Sequence, residues 1–465
     1  MFSLLLKNGT LVDPVSGKKQ QMDIAVEGGK IAAIDNELDH KDALVTLELE
    51  GKTIAPGIID PHVHLTKRLG GHEGFYMLAK AGVTTAVDFA GPVTEIRECF
   101  QTEACGLNVA CLEAIIPGDN LSGNDPSASE LEKVIQRSLQ DGGLGIKIMG
   151  GHYPLTPEAT KRAIETANKN KAYIAFHAGT TTKGSDLEGA LQALDLIGSN
   201  SAHLAHINSY CRGAIKTPLE EVLELHAQLK CRQNIVSGSY LAMVNGTSGK
   251  CVNGRPESKV TRKCLEIGGY EQTSRGLEKA ILDGFPGVSV RHGRENVLLY
   301  GEEARDIWLK NDNLPLSFPV NSPEAILLCA ISKREDHSFI VPSFVSDGGA
   351  IARNCIVEKG LTLVKMKYLT IEEFIRKTSV NPARMFGFTT KGSLREGMDA
   401  DITVLDLHTC KAVMGIANGR IIMLEGRVTG SGGTLLTTTS VSGKHMQQKD
   451  FRQIDMNRSL LYCRN

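Results

Sequence analysis

The sequence predicts an α/β chain: a (β/α)8 barrel of the TIM type with a small β-sandwich domain built from both chain ends. Three observations predict it. Apolar strand-like runs and amphipathic helical runs alternate between positions 58 and 347, as parallel strands with crossover helices do. Alternating apolar and polar residues between turn signals fill the first fifty positions, and the pattern returns after position 400. The 465 residues, 41% of them hydrophobic, suffice for a barrel of about 250 residues plus insertions and a small accessory domain.

The elements follow in chain order. Residues 1–55 with 396–435 form the small sandwich. Ser3-Leu4-Leu5-Leu6-Lys7 runs into the turn signal Asn8-Gly9, and Ile24-Ala25-Val26 turns at Glu27-Gly28-Gly29-Lys30 into Ile31-Ala32-Ala33-Ile34. Ile402-Thr403-Val404-Leu405, Lys411-Ala412-Val413-Met414 and Ile421-Ile422-Met423-Leu424 repeat the pattern and are expected to pair with it. Residues 56–395 form the barrel, with strands at 83–89, 108–116 and 234–240 besides those described below, and helices at 127–140, 157–168, 186–197 and 218–230. Residues 244–336 break the rhythm and read as a long insertion with helical and strand-like segments of its own, of the kind that serves as a lid or binding loop. Within it, Asn245-Gly246-Thr247-Ser248-Gly249-Lys250 lacks the spacing of a phosphate-binding motif and reads as a plain loop. Residues 436–465 form a tail, and the Ser/Thr/Gly-rich stretch 429–443 reads as a loop or mobile segment.

Composition narrows the function classes. A formal net charge of −1 leaves no electrostatic footprint for nucleic acid or an anionic membrane, so a small-molecule partner is expected. The 11 cysteines are scattered without a Cys-x-x-Cys pair, which argues against both a disulfide framework and a thiolate zinc knuckle. Met1 to Leu6 has no charged leader or cleavage site, and no stretch approaches the roughly 20 apolar residues of a membrane span. A cytoplasmic protein is the expectation.

Chemistry concentrates at the carboxyl ends of the expected strands. Pro56-Gly57-Ile58-Ile59-Asp60-Pro61-His62-Val63-His64-Leu65 ends an apolar strand with two imidazoles one residue apart, on one face of the strand. Both rings reach one point beyond the strand end, and neutral imidazole is a common ligand for zinc-like ions. Gly145-Ile146-Lys147-Ile148-Met149 carries a lone lysine inside an apolar strand, where an ammonium is costly to bury. Ala172-Tyr173-Ile174-Ala175-Phe176-His177 and Ala202-His203-Leu204-Ala205-His206 each close on histidine, and Phe344-Val345-Ser346-Asp347 closes on aspartate. Barrel active sites sit at this end of the strands.

The order His-x-His, Lys, His, His, Asp resembles the binuclear branch of the amidohydrolase superfamily over nearly the whole chain. Ser379-Val380-Asn381-Pro382-Ala383-Arg384-Met385-Phe386-Gly387 and Lys391-Gly392-Ser393-Leu394-Arg395-Glu396-Gly397-Met398-Asp399-Ala400-Asp401 resemble its return from barrel to small domain. The resemblance implies a (β/α)8 barrel and two divalent metal ions, zinc first with manganese or iron as alternatives. The metals are held by His62, His64, a carbamylated Lys147, His177, His206 and Asp347. His206 is preferred to His203 because His206-Ile207-Asn208-Ser209 resembles the family setting, and His203 is the runner-up. Asp347 is implied as proton carrier, with Tyr153 or His152 assisting the oxyanion as in hydantoinases and dihydropyrimidinases. Asn208, Tyr210 and Arg212 follow His206, either toward substrate or in plain hydrogen bonding.

The implied activity is hydrolysis of a non-peptide carbon–nitrogen bond in a small amide, a cyclic amide first, by a homo-oligomer (dimer or tetramer). Dihydroorotase-like enzymes carry an arginine where this chain has Thr66, with Arg68 as the nearest substitute. Ser346-Asp347-Gly348-Gly349 resembles the deacylases of N-acyl-D-amino acids and the isoaspartyl dipeptidases, which makes such linear substrates the alternative. A non-catalytic barrel relative is a third reading, and it conflicts with a full set of ligand-type residues.

Overall fold

A computed structural model describes residues 1–438 and 451–463. Parallel strands Ile58–His64, Val83–Asp88, Asn108–Ile115, Gly145–Ile148, Tyr173–Phe176, Ala202–Leu204 and Ile235–Ser239 follow one another in spatial order. The eighth position closes the ring in two pieces. Ser343–Phe344 pairs with Ile235–Ser239, and Gly348–Gly349 pairs with Ile58–His64. Asp347 lies in the break between them.

The alternation of side chains sets the layers. Ala110, Leu112, Tyr173 and Ala175 point into one buried cluster, while Ile146, Ile148, Ile174 and Phe176 pack outward on the helices. The crossover helices Ala128–Asp141, Pro157–Lys169, Leu187–Ile197 and Pro218–Lys230 fall within a residue or so of expectation, because each starts at a side-chain cap: Ser127, Thr156, Asp186 and Thr217. Such caps contribute about 1 kcal/mol each.

Both chain ends enter one mixed nine-strand sheet. Thr53–Pro56 joins the two halves, pairing with Leu4–Asp13 on one side and Ile402–Asp406 on the other. Leu6, Ile24, Ile54, Ile402, Val404 and Ile416 share its core. One expectation is corrected here. Asn8-Gly9 is not a turn: strand Leu4–Asp13 runs through it with a bulge, Asn8 taking φ 61° while its amide donates to Asp23 Oδ1 at 2.9 Å. A bulge absorbs the same positive φ that a tight turn requires, so the dipeptide alone does not separate the two.

The inserted region is a folded unit with strands and helices of its own, as its sequence suggests. Asn245–Ser248, Pro315–Phe318, Gly287–His292 and Glu295–Leu299 form a four-strand sheet in that order, and Leu265, Leu277, Ile281, Trp308 and Phe318 share its core. The Asn245-to-Lys250 stretch, expected as a loop, is in fact mostly an edge strand. Its small polar residues are tolerated because this edge is only half buried.

The tail is also corrected. Thr434–Thr437 is a buried strand that pairs with Asn108–Ile115 and with Phe451–Gln453. Ile454, Met456 and Leu461 join Val87, Ala110 and Tyr173 in the barrel's inner cluster, so the described tail plugs the barrel. Residues 439–443 of the expected mobile stretch lie outside the described residues.

A buried ion cluster ties the barrel to the small sheet. Lys391 Nζ lies 3.1 Å from Asp399 Oδ2 and 2.5 Å from Asp401 Oδ2, and Asn108 of the third strand donates to Asp401 at 3.1 Å. Burial by itself would raise Asp399, but the Lys391 and Lys30 ammoniums bring it down to about 2. The stability it contributes is therefore complete above the ordinary carboxylate range and is lost as pH falls toward 2. Lys391→Met leaves buried carboxylates without their cation and is expected to cost about 3–5 kcal/mol, read by urea unfolding at neutral pH. A variant as stable as the parent refutes the role of this cluster.

Candidate metal centre

The first strand presents His62 and His64 on the same side, and their Nε2 atoms lie 3.2 and 2.9 Å from one oxygen, Oδ1 of Asp347. Each of the three residues offers a donor atom within 4.8 Å of the others. Asp347 reaches them from the break in the closing strand with φ 49°, its amide donating to the His62 carbonyl at 2.9 Å. Gly349 follows at φ 78°, and a β-carbon there would sit 2.3 Å from the His64 carbonyl oxygen, so only glycine fits.

His177 and His206 complete the ring of side chains. His177 Nδ1 faces His206 Nε2 at 3.1 Å, and His206 Nε2 lies 3.9 Å from Asp347 Oδ2. The outer nitrogens are occupied, His206 Nδ1 by Ser209 Oγ and His177 Nε2 by Ser185 Oγ, each at 2.7 Å. Serine partners on the outer nitrogens turn the inner ones toward each other.

Lys147 stands in the same interior. It pairs in register with Ala114 and Ala175, and its Nζ has no hydrogen-bond partner among the described residues. Its ammonium lies 4.7 Å from the centre of the Phe89 ring, on which His62 also stacks at 4.2 Å. Burial lowers the amine to about 7.

The other groups are tuned as a ligand set needs. Burial, reinforced by the Lys147 charge, holds His62 well below the ordinary imidazole range. Burial takes His206 down to about 3, so the lone pairs are free near neutrality. Burial alone would raise Asp347, but Arg353, His62 and His206 together hold it well below the usual carboxylate range. Asp60 beneath it, accepting from the Ser346 amide at 3.1 Å, is pushed by burial up to about 7.

The remaining expected residues separate. His203 sits deeper, bonded to the Tyr173 hydroxyl at 3.0 Å and packed edge-on against Phe89, away from Asp347. His152 and Tyr153 both lie in an exposed turn beside the site, and it is the His152 ring that approaches it, 5.1 Å from that of His177. Asn208 and Tyr210 brace loops, through the Tyr240 backbone and the Ala178 amide. Arg212 spans Asn321, Tyr240 and Asn245 at 2.7–2.9 Å. Arg68 does not stand free in place of an arginine at Thr66, for it is paired with Glu113 at 2.7 Å and Asp119 at 3.1 Å.

Arg353 is the residue that sequence reasoning missed. It is 6% exposed, pairs with Asp347 Oδ2 at 2.6 Å, and donates from Nε to the Asp347 carbonyl at 2.6 Å. Its only sequence signal is a cation six residues past the aspartate, in a glycine-rich turn.

The donor set fits divalent metal. Two ligands held at about 2.0–2.1 Å from one tetrahedral ion lie about 3.3 Å apart, close to the 2.9–3.2 Å spacings of the facing donor atoms. The unpartnered Lys147 Nζ, buried among neutral imidazoles, is an orphaned donor that a cation-bridging derivative would account for.

Comparison with known proteins agrees with this geometry. The Amidohydrolase family profile matches residues 53–211 and 330–428, leaving out most of the inserted unit. A dihydroorotase of Streptococcus thermophilus (strain CNRZ 1066) is 30% identical over 212 residues, covering 43% of this chain and 47% of that protein. The match thus spans about half the length of that relative. A dihydroorotase of Lactococcus lactis subsp. lactis (strain IL1403) is 24% identical over 430 residues, 87% of this chain and 90% of the relative. Among solved structures, a D-aminoacylase superposes with a TM-score of 0.65 at 16% identity, covering 94% of this chain and 99% of its own. Dihydropyrimidinase from Brevibacillus agri gives 0.61 at 16% identity, covering 94% and 98%. With a profile match over more than half of its residues and histidines at the strand ends of a closed barrel, the chain belongs to the amidohydrolase family.

Proposed function

We propose that the protein is a metal-dependent hydrolase of a non-peptide carbon–nitrogen bond, acting first on a cyclic amide of the dihydroorotase, dihydropyrimidinase or hydantoinase kind. The observation that carries this reading is the convergence of His62, His64, His177, His206, Lys147 and Asp347 at the carboxyl end of one barrel. In this reading His62, His64, His177, His206, Asp347 and a carbamylated Lys147 would together hold two divalent ions. Bound divalent ions, zinc foremost, supply an acidified water and a polarised amide carbonyl.

The chain's own residues do the rest. Asp347 is ionised at neutral pH and accepts the proton of the attacking water. It then delivers that proton to the leaving nitrogen, which departs poorly as an anion. Arg353 fixes the direction of the carboxylate through Oδ2 and leaves Oδ1 toward His62 and His64. His152, whose ring lies 5.1 Å from that of His177, is placed to donate to the developing oxyanion in preference to Tyr153.

A second reading has its own support. Thr66 bonds back to the Gly91 carbonyl and Arg68 is neutralised by Glu113 and Asp119, so neither stands free to hold an orotate-type carboxylate. A linear N-acyl amino acid, held elsewhere in the site, is the alternative substrate. A panel of dihydroorotate, dihydropyrimidines, hydantoins and N-acyl amino acids of both hands separates the two.

Purified without chelator and reconstituted with zinc and bicarbonate, the chain is expected to bind two metal ions; fewer than one per chain by elemental analysis sinks the binuclear reading. Lys147→Ala is expected to lose metal and turnover together, both partly restored by short carboxylic acids, and an alanine variant with full metal and turnover refutes the bridge. For Asp347→Asn the expectation is a modest loss of metal with turnover down at least about a hundredfold. Near-normal turnover on a fully loaded preparation removes Asp347 from proton transfer.

A further inference from the structure

The inserted unit touches the catalytic end of the barrel at the two residues that follow Gly349. Asn296 donates from its side-chain amide to the Ala350 carbonyl at 2.8 Å. At the other edge of the same four-strand sheet, Gly246 lies against Ile351, whose Cγ2 would be 3.2 Å from a β-carbon placed there. From below, the Ala350 amide donates to the His64 carbonyl at 3.3 Å, and Gly74 of helix Glu73–Lys80 packs so closely that a β-carbon would meet the Ala350 nitrogen at 2.7 Å. Residues 350–351 are thus gripped between the barrel and the insertion.

This grip bears on the catalytic carboxylate. Asp347 and Gly349 both hold positive φ, a conformation that for a non-glycine residue persists only when its surroundings over-determine it. Arg353 ties back to the Asp347 carbonyl, and Asn354 exchanges hydrogen bonds with Gly349 at 2.7 and 2.8 Å. A shift at Ala350 therefore passes to Asp347 through a few short bonds. Asn296 is itself held against the first barrel helix, its backbone amide donating to Met77 Sδ at 3.3 Å and the neighbouring Arg294 lying 4.6 Å over the Tyr76 ring, whereas the solvent-exposed Lys80–Glu295 pair at 2.7 Å adds little.

We propose that Asn296 is a positioning residue for Asp347, through which the inserted unit holds the 347–354 segment in the shape that aims the carboxylate at His62 and His64. The proposal rests on the proton-transfer role given to Asp347 above. It makes the insertion part of the catalytic framework and not only a cover over substrate.

The test compares Asn296→Ala, Asn296→Asp and Lys80→Ala in the zinc-loaded full chain. Asn296→Asp replaces the donor by an acceptor facing a carbonyl, while Lys80→Ala removes a rim ion pair of the same hairpin without touching Ala350. Hydrogen exchange of the 347–354 segment and the turnover constants are read on the same preparations. Both Asn296 variants are expected to exchange faster in that segment and to lose about tenfold in kcat with KM changed less than about twofold, since displacing a reacting group by an ångström is costly. Metal content stays that of the parent, and Lys80→Ala matches the parent throughout. Parental exchange and kcat in either Asn296 variant overturn the proposal, as does an equal loss in Lys80→Ala. A parent chain that binds metal yet hydrolyses none of the amide panel sinks the proton-transfer reading instead. The exchange comparison needs no substrate and still decides whether Asn296 holds the segment.

Discussion

Closure of the barrel through Asp347 is the constraint on which the rest of the structure depends. The last strand is split so that Ser343–Phe344 serves one neighbour and Gly348–Gly349 the other, with Asp347 left at positive φ between them. A continuous strand would point residue 347 along the regular inside–outside alternation. The break instead turns its carboxylate onto both first-strand imidazoles while its amide still bonds the His62 carbonyl. Ring closure and assembly of the site are one event, which accounts for the density of bonds around residues 346–354.

Burying so many titratable groups is costly unless each finds a partner. The arrangement meets that cost largely by neutrality: burial keeps His62, His177 and His206 uncharged and brings Lys147 to about 7, and the one firmly ionised carboxylate is matched by Arg353. Among the described residues, Lys147 Nζ and the Nδ1 atoms of His62 and His64 are left without a hydrogen-bond partner. Elsewhere the protein treats buried charge differently. Lys391, Asp399 and Asp401 are fully paired and serve adhesion between barrel and sheet, away from any open space.

Legibility in the sequence followed range. Helices with a Ser, Thr or Asp cap at the start were placed within a residue or so, because the cap is a local signal. The strand-end histidines were legible because the i, i+2 spacing and the apolar run before them are local too. Asn8-Gly9 and the 245–250 stretch were misread since small polar residues fit turns, bulges and edge strands alike. Thr434–Thr437 was misread for the complementary reason. Its composition suggests a loop, and its two partners, the start of Asn108–Ile115 and Phe451–Gln453, are supplied only by the fold.

The sequence by itself determined the alternation of strands and helices, the family, and the set of residue types available at the strand ends, since each of these is written in spacings shorter than one element. Tertiary structure alone decided which of those residues meet. His206 faces His177 while His203 turns to Tyr173, although both sit within five residues on one chain segment. Arg353 and Asn296 reach the Asp347 segment from a turn and from an inserted unit that carry no motif. The physical reason is that side-chain direction near a strand end depends on closure of the ring and on what packs against it, and both are set by contacts between residues hundreds of positions apart.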